Sequence, residues 1–176
     1  MPRYVLILFL LGSIPILVLS RRSLSQPRSH GFYRLFVFEG LLILILLNAE
    51  YWFVNPFSAR QILSWFFLVL SAILAIVGFG LLGRQLPSPL LIEHTTTLVT
   101  TGAYRYIRHP LYASLLYLGW GAFLKHLSIT GVLLTLFISI FATLTALAEE
   151  RENRQKFGAA YAEYMRHSWR FIPFVF

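Results

Sequence analysis

Between Ile62 and Leu82 the chain runs for a full membrane thickness without one charged residue. A stretch of roughly 20 mostly apolar residues is what a helix needs to cross the hydrocarbon core. Four further segments approach that pattern: Tyr4–Leu19, Phe32–Val54, the shorter Leu111–Leu124, and the uncharged Ile129–Leu147. Only 12% of the residues are charged, against about 25% in an ordinary soluble domain. The expected fold is therefore an all-α integral membrane protein of about five transmembrane helices. It is read as a single membrane domain over 1–176, with N-terminal spans in 1–77 and a catalytic half in 78–176.

The net charge of +8 does not point to nucleic acid, because the charges lie between apolar runs rather than on one soluble face. With five spans and the N-terminus outside, the inner segments hold Arg21, Arg22, Arg28, Arg34, Arg84, Arg105, Arg108, Arg151, Arg154, Lys156, Arg166 and Arg170. The outer segments hold Arg3, Arg60 and Lys125. That is a strong positive-inside bias. It predicts a cytoplasmic C-terminus, in the inner or plasma membrane if the source is prokaryotic. Arg3 ahead of an apolar run also fits a signal peptide. No small-x-small cleavage site follows, and the Arg21–Arg22 doublet reads as an anchor, so a retained helix is expected. Cysteine is absent, which excludes thiol nucleophiles, disulfides and Cys-ligated metals.

The outer connections are short, so the chemistry is expected in the inner segments Gly83–His109 and Glu149–Phe176. Gly78-Phe79-Gly80-Leu81-Leu82-Gly83 matches the dinucleotide fingerprint literally. That fingerprint needs a preceding strand and a later acid, whereas these glycines lie in an apolar helix. Close helix packing, or the approach of a ligand to bare backbone, explains them instead. Pro110 suits the first turn of the fourth span, which puts Arg108 and His109 beside a helix N-terminus that attracts anions. A snorkelling arginine and a capping histidine are the plain alternatives. His30, His94, His126 and His167 form no ligand-spaced set with His109, so no metal is expected.

The fifth span runs into Glu149 and Glu150. Helical spacing pairs Glu150 with Arg154 and Glu152 with Lys156, and leaves Glu149 without a cation. Phe157, Ala160, Tyr161, Tyr164 and Met165 form an amphipathic stripe that lies on the membrane or on the inner loops. Glu39, inside the second span, is a functional candidate by position, with a headgroup-level location as its alternative.

LVTTGAYRYIRHPLY, a helical hairpin, then EERENRQKFGAAYAEYM and RFIP together resemble the isoprenylcysteine carboxyl methyltransferase family, within a wider membrane methyltransferase group that includes phospholipid N-methyltransferases. The resemblance runs from roughly Gly78 to Pro173. Asn153 departs from it, standing where an apolar residue is usual. The resemblance implies S-adenosylmethionine as cofactor, lined by Leu98, Val99, Gly102, Tyr104, Arg108, His109, Pro110 and Tyr112 with Glu149 and Glu150. The phospholipid branch adds a Gly-x-Gly element, to which Gly78 and Gly80 are similar. It also implies Arg170 as the holder of an anionic substrate group. The residue chemistry agrees: Arg108 and the helix N-terminus suit the cofactor's carboxylate, a glutamate suits its ammonium or ribose hydroxyls, and Leu98–Val99 suits adenine.

The expected function is carboxyl O-methylation of a lipophilic, isoprenylcysteine-like acceptor drawn from the bilayer. A carboxylate acceptor is favoured because Arg108, Arg166 and Arg170 make the tail electropositive. If the acceptor is instead an amine, Glu149, Glu150 or a tyrosine would take its proton. The alternatives are a phospholipid amine N-methyltransferase, a nicotinamide-dependent membrane reductase, or a non-catalytic scaffold. Membrane lipids and the acceptor are the expected partners, and the oligomeric state is left open.

Overall fold

A computed structural model describes residues 3–84 and 97–175. Among the described residues six α-helices form: α1 (Arg3–Leu24), α2 (His30–Leu47), α3 (Ala59–Gly83), α4 (Pro110–Phe123), α5 (Ile129–Phe157) and α6 (Ala159–Arg166). Part of the Gly83–His109 connection, including His94, lies outside the described residues. Among the described residues no strand forms, and the only extended pairing is an isolated parallel bridge between Ile107 and Trp169.

Local chemistry sets the helix ends. Ser29, Ser58 and Ser128 each accept a hydrogen bond from the third backbone N–H beyond them, capping α2, α3 and α5. Gly158, at φ +56°, ends α5 in a conformation that costs other residues energy. The second apolar run was expected to reach Val54, but α2 stops at Leu47. Asn48 is responsible: it is buried and donates its side-chain amide to Ala122 O at 2.8 Å. A short 3₁₀ turn, Ala49–Tyr51, follows.

Helices α1, α2, α3 and α5 are long and apolar enough to cross a membrane. Helix α4 has 14 residues, or about 21 Å at 1.5 Å per residue, against a hydrocarbon core of about 30 Å. It nonetheless runs antiparallel along most of α3. Leu111 packs where a side chain on Gly78 would sit, Ser71 donates to Ser114 O, Ser64 donates to Gly121 O, and Lys125 reaches Gln61. The connecting residues thus complete what the helix lacks in length.

The five long elements lie in the order α1, α2, α5, α4, α3, with α2 also touching α4. Lipid gives apolar helices no reason to associate, so small residues and hydroxyl bonds must do it. The core follows that rule, with Val37, Leu41 and Leu44 of α2 on Ala122, Ile138 and Ala142. Gly40 and Gly119 admit Ile138. The dinucleotide reading of Gly78–Gly83 fails here, since those residues continue α3 without a strand.

One end of the bundle gathers the close of α1, α3 and α5 and the start of α2 and α4. The other end is held by Lys125, fully buried, whose ammonium lies 3.7 Å from the Trp65 ring centre and 2.9 Å from Gln61 Oε1. Tyr4 also donates to Glu50 there, tying α1 across the turn after α2.

Candidate functional site

The charged end is organised by Glu150. Its α5 position points it at the start of α4, and its side chain is only 6% exposed. Arg170 grips both carboxylate oxygens at 3.1 Å, a two-point geometry that only a guanidinium offers. Arg108 donates from Nε to Glu150 Oε1 at 3.1 Å. His109 Nε2 stands 3.4 Å from the same oxygen but completes no hydrogen bond, although it is buried. Three residues distant in sequence therefore converge on one acid.

Backbone pairing makes this convergence possible. Trp169 N–H donates to Tyr106 O, Arg108 N–H to Trp169 O, and His109 N–H to Arg170 O, at 2.7–3.2 Å. The segment 106–109 and the tail 169–170 thus lie side by side. Arg108 Nη1 is held further by the carbonyls of Met165 and Ser168. Ser168 is itself buried and donates to Tyr164 O. Sequence reasoning missed Met165, Ser168 and Trp169 in this role. They contribute backbone groups, which leave no residue-type signal.

Glu149 differs from its neighbour. Its side chain is 32% exposed and lies 3.9 Å from His109 Nδ1. Tyr112 donates its hydroxyl to Glu149 Oε2. His109 is the N-cap of α4 yet makes no side-chain capping bond, and Pro110 follows at the first turn. The His109 ring stacks on Tyr112 instead, with centres 5.4 Å apart. The first-turn N–H groups of α4 are therefore not capped by His109, and a helix N-terminus of that kind favours anions.

The remaining predicted residues spread around this centre. Tyr104 is buried, and its carbonyl accepts from Tyr164 at 2.5 Å. Gly102 has φ +61° and faces Leu81, so it shapes the turn against α3. Val99 is buried and Leu98 half-buried on the approach to that turn. Gly78 is filled by Leu111, whereas Gly80 has open space where a side chain would be. Pro110 is buried beside Gly78.

Several local expectations change. Glu150 turns to Arg108 and Arg170, while Arg154 contacts Met165 Sδ at 3.3 Å. Glu152 takes the Nδ1 of His30 at 2.6 Å and the His30 backbone N–H at 3.0 Å, joining α5 to the start of α2. The amphipathic stripe of α6 packs toward the loop that carries Tyr104, with Tyr161 buried and Tyr164 bonded to Tyr104. Asn153, the departure from the expected pattern, lies close enough to Tyr161 to lower its phenol against the effect of burial. Glu39 accepts from Ser13 at 2.7 Å, across α1 and α2 and away from this centre.

Burial, then the charge of Glu149, pushes the Tyr104 phenol well up. Burial likewise raises Tyr164, and it carries Tyr161 to about 12 against the lowering effect of Asn153. All three stay protonated at any working pH. Among the groups named here, Glu149 is the partly open acid beside an anion-favouring helix start.

The family model for phospholipid methyltransferases matches residues 59–160. That stretch covers α3, α4, α5 and both glutamates, while Arg170 and the paired tail lie beyond it. No curated protein matches the chain.

Proposed function

The chain belongs to the phospholipid methyltransferase family, and from that premise we propose that it is an S-adenosylmethionine-dependent enzyme methylating the amine of a lipid headgroup. The observation that carries the reading is Glu149, half-open between Tyr112 and the start of α4, at the end of apolar helices. The residues fit the cofactor. Glu149 suits an ammonium or ribose hydroxyls, and the first turn of α4, left uncapped by His109, suits a carboxylate. Leu98 and Val99 remain the proposed wall for adenine. When bound, S-adenosylmethionine offers a sulfonium methyl: the acceptor's lone pair forms the new bond while the carbon–sulfur pair withdraws onto sulfur.

The chain's own task is alignment and proton removal. Alignment alone supplies roughly 7–11 kcal/mol of a barrier. An amine must be neutral to attack, and Glu149 is the carboxylate placed to accept its proton. Tyr104, Tyr161 and Tyr164 are raised and cannot serve as bases. Arg108 and Arg170 act through Glu150, fixing the tail over the cluster. We place this end at the cytoplasmic face, with the acceptor arriving sideways from the bilayer.

The sequence favoured a carboxylate acceptor because of Arg108, Arg166 and Arg170. Each of those arginines faces an acid: the first and last share Glu150, and Arg166 pairs with Glu163 at 3.1 Å. The electropositive argument loses its support, and the amine becomes the better reading. Calorimetry with S-adenosylhomocysteine and folded protein should show binding, and Glu149→Gln should weaken it about tenfold. No binding to folded wild-type protein sinks the proposal. Labelled S-adenosylmethionine and native membranes should give a methylated amine that survives mild base. Release of labelled methanol would return the acceptor to a carboxylate.

A further inference from the structure

Helix α2 lies outside the family match, yet its first turns face the site. Its packing stripe is Val37, Leu41 and Leu44, set against Ile138 and Ala142 of α5. Helical intervals extend that stripe back through Arg34 to His30, and extend the α5 stripe forward through Thr145 and Glu149 to Glu152. The two stripes oppose each other along this length. Ile138 fills the place of a side chain on Gly40, and His30 Nδ1 meets Glu152 at 2.6 Å. The helices are thus antiparallel. Glu149, one turn from Glu152 toward the core, falls level with the turn between His30 and Arg34. The Arg34 guanidinium folds back into that turn, with Nη2 3.9 Å from where a side chain on Gly31 would begin.

Electrostatics agree with this placement. Tyr112 and His30 each feel the negative charge of Glu149 and the positive charge of Arg34. Two charges that act on the same two groups lie close to one another. From α4, the contacts to Glu149 both fall on one oxygen: Tyr112 donates to Oε2, and His109 Nδ1 stands 3.9 Å from it. Contact at one oxygen leaves a carboxylate plane free to swing. The planar fork of a guanidinium on the opposite side fixes that plane.

We propose that Arg34 is a further positioning residue of the methyl-transfer site, holding the Glu149 carboxylate from the α2 side in the orientation that meets an ammonium. Its effect on binding rests on the S-adenosylmethionine reading, whereas the placement of Arg34 beside Glu149 does not. An arginine that only snorkels to the interface would leave Glu149 untouched.

Two measurements on the full chain in detergent decide this. The sequence has no cysteine, so Glu149→Cys carries the sole thiol, and its alkylation rate reports the local field. At about pH 7, adding Arg34→Gln should slow reaction with iodoacetamide at position 149 about fivefold, with His109 present in both backgrounds. A thiol introduced by Glu163→Cys, exposed on α6, should react equally fast with and without Arg34→Gln. An unchanged rate at position 149, or equal slowing at both positions, overturns the placement. Calorimetry with S-adenosylhomocysteine reads the function. Arg34→Gln should weaken binding about tenfold, Arg34→Lys should restore most of it, and Arg34→Gln added to Glu149→Gln should cost less than about twofold more. Full affinity in Arg34→Gln, or losses that multiply in the double variant, overturns the positioning role. Absence of binding to folded wild-type protein sinks the cofactor reading, and the thiol rates then still decide whether Arg34 faces Glu149.

Discussion

Adjacent glutamates on one helix have opposite duties here. Glu150 is buried under two guanidiniums and a histidine, while Glu149 keeps an open face. Removing one partner of a buried charge network costs about 3–5 kcal/mol, because the remaining charges lose compensation. Glu150→Gln should therefore lower the apparent Tm in detergent by about 5 °C or more and loosen the tail to proteolysis. Glu149→Gln should leave Tm nearly unchanged, since its amide can still accept from Tyr112. Equal Tm losses would contradict this division. The sequence identified both acids as unusual but could not assign their roles. Its local spacing offered Arg154 to Glu150, whereas the actual partners lie 42 and 20 residues away. Long-range backbone pairing decides that choice, and no helical period reveals it.

Elements were more legible than contacts, because apolar length is written directly in the chain. Four spans were read correctly in kind, and the fourth apolar run was already short in the sequence. What could not be seen is how α4 compensates, lying along α3 with Ser64 and Ser71 bonding its carbonyls. Gly78 and Gly80 separate packing from open surface on that interface. A side chain at Gly78 would come within 2.7 Å of Leu111, next to Pro110 and hence next to His109. At Gly80 it meets nothing within 4 Å. Gly78→Leu should cost about 1–3 kcal/mol through overpacking and weaken S-adenosylhomocysteine binding by displacing the start of α4. Gly80→Ala should leave the fold intact. If Gly80→Ala nonetheless abolishes cofactor binding with normal Tm, Gly80 faces the ligand and packing is the wrong account.

The molecule as a whole has a charge polarity from which an orientation in a bilayer is predicted. Of the fifteen lysines and arginines, all but Arg3, Arg60 and Lys125 lie at the end that carries Glu149 and Glu150. Lys125 is withdrawn further, sealed against Trp65 and Gln61. At the site end Arg108, Arg166 and Arg170 are paired with acids, but orientation follows the count of Lys and Arg near the span ends rather than net charge. The site end should therefore face the cytoplasm. The chain has no cysteine, so single cysteines can report this without background. Phe57 is 90% exposed in the turn between α2 and α3, and Gln26 is exposed in the turn between α1 and α2. In intact cells a membrane-impermeant maleimide should label Phe57→Cys at once, and Gln26→Cys only after permeabilisation. The reverse pattern would place the glutamates outside, where intracellular S-adenosylmethionine does not reach, and would remove the proposed enzyme from its cofactor.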